Sequence, residues 1–249
     1  MLKKLREHHI FLVFLSPILY FTIGIISSKS ISNSVSATIV ADTIIILMLF
    51  KLIPKHEPVE EKLSSPPLGL FYSMIASSFM IDFWYNANLV DKSLQSYQSS
   101  MADASVFCVL ILTLIIAPVS EEILFRGIIY GHLAEKINPY VAVLISSFLF
   151  GIIHGTGVHI IIGTFMGCFF CYIFESTGSV KYSIIYHFAY NALSLYFSCA
   201  GIVLNIPKIW MICMIAGAAF VWLIDDYGYV ISITRKFAID NDINSTVKN

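Results

Sequence analysis

Three groups of polar side chains sit inside apolar stretches of this chain, and their residue types are those of hydrolytic chemistry. They are Glu121, Glu122 and Arg126; His154; and His187 with Asn191. A carboxylate can take a proton from water, an imidazole can orient or relay one, and amide N–H groups can donate to a developing oxyanion. Each ionisable group at the centre of a membrane helix costs roughly 2.5–3.5 kcal/mol on insertion scales, so the set left unpaired would cost on the order of 10 kcal/mol. Such groups need partners or a purpose. Glu122 and Arg126 are four apart with the acid first, the favoured order for a helical ion pair. Glu121 is turned about 100° from Glu122 around the helix. The spacing therefore predicts one glutamate neutralised by Arg126 and the other, Glu121, facing a neighbouring helix. His187 and Asn191 are also four apart and share a face, from which both can donate to one oxygen. Blander readings stand beside these. Glu122–Arg126 works equally as a structural pair, His154 as a satisfied core histidine, and His187–Asn191 as an interhelical contact worth about 0.6 kcal/mol.

The elements that must position these groups are membrane spans. Of the 249 residues, 57% are hydrophobic and 12% are charged, and the mean hydropathy is +0.81. A soluble domain carries about 25% charged residues. Most of this surface therefore does not face water, and disorder is excluded by the same apolar content. The net charge of −1 supplies no field toward nucleic acid. The fold class is all-α, a polytopic membrane helix bundle forming one transmembrane domain over 1–249. Runs long enough to cross ~30 Å of hydrocarbon fall at 10–27, 35–53, 68–90, 104–133, 139–156, 158–176, 179–200 and 207–225, giving about eight helices. The fourth run is long and contains Pro118, which predicts a kink and a freed carbonyl that neighbours must satisfy.

The first run follows Lys3, Lys4 and Arg6 but lacks a small-residue cleavage site, and reads as an uncleaved span. With a cytoplasmic N-terminus, eleven basic residues fall inside and three, Lys29, Lys92 and Lys208, outside. The positive-inside rule then puts both termini in the cytoplasm of a multi-pass cell-membrane protein. Residues 51–67 read as a linker, 90–103 as the largest external loop and 226–249 as a polar cytoplasmic tail.

Glu121 and His154 are equidistant from residues 137–138, inside a predicted turn at 135–138. In an antiparallel helix pair such residues lie at one depth, so Glu121 is expected to meet His154. The five cysteines, including Cys168 and Cys171 at redox-like spacing, lie in or beside apolar runs and read as inert packing thiols. Gly163 and Gly167 suit close helix packing. His132 and His159 lie near span ends, where water reaches, and read as incidental. Asp42 and Asp82 lie within spans without an identifiable partner. Trp84, Trp210 and Trp222 read as interfacial anchors.

The motifs resemble a known family. Ala117-Pro118, followed by Glu121-Glu122-Ile123-Leu124-Phe125-Arg126-Gly127, is similar to the first motif of the CPBP intramembrane proteases. These are the CAAX-processing and bacteriocin-processing enzymes, also called Abi proteins. Phe150-Gly151-Ile152-Ile153-His154 resembles the family's second motif, and His187-Phe188-Ala189-Tyr190-Asn191 its third. All three occur in order within 104–200, which the resemblance marks as the catalytic core. It implies an eight-helix bundle with a cavity open to the cytosol. It also implies that Glu121 and His154 activate a water, that His187 and Asn191 hold the oxyanion, and that Glu122 and Arg126 support the site.

The family is often labelled metalloprotease, and Glu121, His154 and His187 are of ligand types that hold zinc. The His-Glu-x-x-His signature is absent, and one base, one partner and two oxyanion donors suffice without metal. The preferred reading therefore has no cofactor. The expected partners are the bilayer and a peptide or protein substrate in or at the membrane: a lipidated CAAX-type substrate, or a bacteriocin precursor in a self-immunity setting. Two alternatives remain. One is a non-catalytic scaffold or immunity protein. The other is a transporter relaying protons through Glu121 and Asp42, although no paired broken helices or repeat halves support it.

Overall fold

The computed structural model describes residues 9–55, 104–155 and 157–199. Among them every regular element is helical: α1 His9–Ser30, α2 Ser34–Leu49 with a 3₁₀ turn at Phe50–Leu52, α3 Val106–Ala134, α4 Pro139–Ile152, α5 Gly157–Thr177 and α6 Val180–Cys199. These six lie on six of the expected spans. The other two, 68–90 and 207–225, fall outside the described residues, as do most of the linker, the loop, the tail, Asp82 and the three tryptophans.

Local chemistry sets the helix ends. The Asn33 side chain caps α2 by accepting from Ser36 N at 2.9 Å, and Asn138 caps α4 by accepting from Tyr140 N at 2.9 Å. Pro139 opens α4, where its missing N–H is no loss. Gly155 and Gly178 adopt φ of 72° and 65°, the left-handed conformation that ends a helix and that glycine adopts without strain. As a result α4 stops at Ile152, short of the expected 156, and His154 sits in the turn beyond it, its N–H donating to Gly151 O at 3.1 Å.

The bundle is apolar outside and polar within. Large apolar side chains such as Leu47, Val106 and Phe107 are 70–75% exposed, whereas Ser120, Glu122 and Arg126 are 0% exposed. Water would penalise that arrangement and hydrocarbon rewards it. α1, α2, α3 and α5 are each long and apolar enough to cross a membrane.

α3 absorbs its proline without breaking. The 29-residue helix contains two π-helical stretches, Leu112–Ile116 and Ile123–Tyr130, on either side of Ala117–Glu122. Ala117 N–H bonds back five residues to Leu112 O. The next donor in that register would be Pro118, which has no N–H, so Thr113 O is freed. Asn191 Nδ2 of α6 donates to that carbonyl at 2.9 Å. At the position of the expected kink, π turns take up the register and a neighbouring helix supplies the missing donor.

α4 and α5 approach through small residues. A Cβ on Gly163 would lie 3.0 Å from Gly151 Cα, and one on Gly167 would lie 2.8 Å from Ser147 Cα. A Cβ on Gly151 would collide with Thr164 Oγ1 and Ile160 O. The glycines expected to pack closely do so against a matching small-residue pair. Overpacking of this kind costs about 1–3 kcal/mol, so Gly151→Ala and Gly167→Ala should each lower the unfolding midpoint of the purified protein in detergent. Gly24→Ala, which meets nothing within 4 Å, should leave it unchanged or slightly raised.

Candidate active site

Glu122 and Arg126 form the expected ion pair. Arg126 Nη1 donates to Glu122 Oε1 at 3.0 Å, and both side chains are fully buried. The guanidinium reaches further, donating from Nη2 to Gly167 O of α5 at 3.0 Å. It lies 4.3 Å over the Phe150 ring and 5.2 Å from the Phe170 ring. These contacts join α3, α4 and α5 at one buried cation, with cation–π attraction adding to the hydrogen bonds.

His187 enters from α6. Its Nδ1 donates to Glu122 Oε1 at 2.9 Å, and its Nε2 stands 3.8 Å from Glu121 Oε2. The imidazole stacks on Phe170 at 4.7 Å and meets the edge of Phe150 at 5.7 Å. One histidine therefore touches one carboxylate and faces the other. Glu122 fixes the ring orientation and places a proton on Nδ1, as a carboxylate bonded to imidazole does. The gap on the Glu121 side is too long for a direct hydrogen bond and suits a bridging water.

His154 is exposed, and its Nδ1 donates to Phe150 O at 2.8 Å, which leaves Nε2 as the free nitrogen. Its ring lies 5.0 Å from Phe150, the ring that His187 also touches. No hydrogen bond or ion pair joins Glu121 to His154 among the described residues. Equal counting from the turn assumed uniform helices. The π stretches of α3 change its residues per turn, and α4 ends before His154. Asn191 is half-buried; it spends one Nδ2 proton on Thr113 O and keeps the second.

Some of the framework had gone unread. Phe150 sits in the quoted Phe-x-x-x-His motif, yet its contact with Arg126 and both histidines had not been anticipated. Phe170 lies between the two cysteines taken as packing thiols. Cys168 and Cys171 are free, and Cys171 Sγ is buried 3.9 Å from Ser147 Oγ. His132, expected to meet water at a span end, is buried with Nε2 3.3 Å from Leu52 O. Glu175, an acid inside an apolar span, is buried and accepts from Tyr130 OH at 2.5 Å.

Zinc fits these positions poorly. Each histidine commits Nδ1 to an acceptor and leaves Nε2 for a further partner, as a metal ligand must. However, no three His, Cys, Asp or Glu side chains among the described residues converge well enough to hold a metal ion, and a zinc site needs at least three.

With this geometry in view, two comparisons with known proteins agree with the CPBP motifs. A family described as "Type II CAAX prenyl endopeptidase Rce1-like" matches residues 103–193, the stretch that holds all six candidate site residues. Residues 103–193 are thus similar to the Rce1-like endopeptidases. "Putative membrane peptidase YdiL" of Bacillus subtilis (strain 168) is 28% identical over 160 residues, covering 61% of this chain and 66% of that protein, just under two thirds of its length. No solved structure matches the chain.

The two glutamates are held differently, Glu122 by Arg126 and His187 and Glu121 by no close pair, and stability measurements separate them. Arg126→Ala leaves Glu122 without its cation and Gly167 O without its donor; breaking a buried pair this way costs about 3–5 kcal/mol. The unfolding midpoint should fall steeply for Arg126→Ala and much less for Glu121→Gln, which retains size and disturbs no close pair.

Proposed function

We propose that this chain is an intramembrane endopeptidase that cleaves a membrane-associated peptide or protein through water activated by Glu121. The observation that carries the reading is His187, held by Glu122 on one side and presenting Nε2 toward Glu121 on the other, 3.8 Å away in a buried setting. A carboxylate so close to an imidazole has the parts of a general-base site. The family match and the relative's printed name support the same class of chemistry.

In this scheme Glu121 takes a proton from a water lodged between its carboxylate and the histidines. The His154 Nε2 lone pair orients that water. Hydroxide adds to the scissile carbonyl, and the oxyanion accepts hydrogen bonds from the second Nδ2–H of Asn191 and from the Nε2–H of a His187 protonated on both nitrogens. Glu122 balances that charge. Glu121 then passes its proton to the leaving amine. In this scheme no step runs through a metal. The substrate class in this proposal is a polypeptide at the membrane, either one with a prenylated CAAX-type C-terminus, which the family description supports, or a bacteriocin precursor. The site is placed to open toward the cytoplasm, with both termini on that side.

The test compares peptide termini in membranes from cells carrying the wild-type chain or Glu121→Gln. At least one membrane polypeptide should show a new terminus that Glu121→Gln abolishes, and its cleavage in reconstituted vesicles should fall at least about 10²-fold. Identical termini in both strains would favour a non-catalytic scaffold.

A further inference from the structure

His187 has to present Nε2 toward Glu121, and its hydrogen bonds alone do not fix that direction. The torsion that turns an imidazole about its Cβ–Cγ bond has broad wells. The bond from Nδ1 to Glu122 Oε1 at 2.9 Å holds one ring atom, and the 3.8 Å from Nε2 to Glu121 Oε2 is too long to hold another. The plane of the ring must be set by what packs against its face.

Phe170 of α5 packs there. The centroids of the Phe170 and His187 rings are 4.7 Å apart with 20° between their planes, a stacked pair. Phe170 is 0% exposed and His187 4%, so protein surrounds both rings. Phe150 of α4 meets His187 edge-on at 5.7 Å and 81°, and Phe170 at 6.3 Å and 84°. The three rings form a corner in which Phe170 is the wall parallel to the imidazole. An edge touches a ring along one side, whereas a parallel face sets its plane. Phe170 lies about one helical turn after Gly167, whose close approach to Ser147 seats α5 against α4. It belongs to none of the three motifs.

We propose that Phe170 is a positioning residue for His187: its ring face holds the plane of the imidazole, so that with Nδ1 bonded to Glu122 the Nε2 atom points at Glu121. Phe170 exchanges no proton and, being fully buried, does not meet substrate. Without that wall the imidazole can turn about its bond to Glu122, and Nε2 leaves the direction in which the proposed water and oxyanion lie. A misplacement of about 1 Å at such a group can cost about 10²-fold in rate.

This assignment rests on the endopeptidase reading for its chemistry, whereas the stack is read without any activity. Wild type, Phe170→Leu and Phe174→Leu are compared, each checked for a single folded species. Phe174 is 1% exposed, lies one turn further along α5 and meets the edge of Tyr130 at 5.8 Å. Phe174→Leu therefore removes a similar buried ring away from His187. Protons over the face of a phenyl ring are shielded by it, so the C–H signals of the His187 ring should lie upfield in wild type and Phe174→Leu and move downfield in Phe170→Leu. In vesicles Phe170→Leu should lower kcat for the substrate identified above by about tenfold or more and leave KM within about twofold. Phe174→Leu should keep both within about threefold of wild type. Should Phe170→Leu fail to fold, Phe170→Met, which fills the space without a flat ring, takes its place. Unshielded His187 protons in wild type overturn the assignment whichever variants fold. So does an unchanged kcat in a folded Phe170 variant, or an equal loss in Phe174→Leu, and each of these leaves the endopeptidase reading standing. No cleavage by wild type, with the His187 signals still shielded, overturns that reading and the role given to Phe170 together.

Discussion

Glu122 Oε1 is the acceptor on which the arrangement turns. It receives Arg126 Nη1 at 3.0 Å and His187 Nδ1 at 2.9 Å, so one oxygen holds a cation from its own helix and an imidazole from α6. Arg126 in turn reaches Gly167 O of α5 and the Phe150 ring of α4. Four helices therefore meet at one ion pair. A glutamate and an arginine in hydrocarbon must find each other, and each extra bond they make offsets the desolvation that their burial costs. The same bonds orient His187 toward Glu121. Structural necessity and chemical arrangement are here two outcomes of one hydrogen-bond network.

The rest of the bundle is arranged to let those groups come close. Glycines at 151, 163 and 167, with Ser147, let α4 and α5 approach nearly backbone to backbone, and that approach brings the Gly167 carbonyl within reach of Arg126. In α3 the cost of Pro118 is met by π turns and by Asn191, which ties α6 to α3 through Thr113 O. Asn191 thus anchors the helix that carries His187, whatever its second N–H does. A residue read as an oxyanion donor has a measurable structural duty as well.

Much of this was legible in the sequence because charge in hydrocarbon is so costly. The Glu122–Arg126 pair followed from spacing and sign, the burial of Asp42 from its place in an apolar run, and the close glycine contact from Gly163 and Gly167. What could not be read arose where helices depart from uniform geometry. The π stretches of α3 and the early end of α4 are departures of that kind on either side of the Glu121–His154 hairpin, and no pattern of residue types announces a π turn. The aromatic frame of Phe150 and Phe170 was hidden for a different reason. In a chain with 19 phenylalanines, a ring that stacks on a buried imidazole looks like every ring that packs against lipid or core.

The bond between Glu122 and His187 is the central claim, and ring-nitrogen NMR of the purified, ¹⁵N-histidine-labelled protein tests it most directly. The His187 signals are assigned among the seven histidines by their loss in His187→Gln. Nδ1 should carry the proton, and its resonance should move when Glu122 is replaced by glutamine. A His187 ring protonated at Nε2 alone, and indifferent to the Glu122 substitution, would contradict the account.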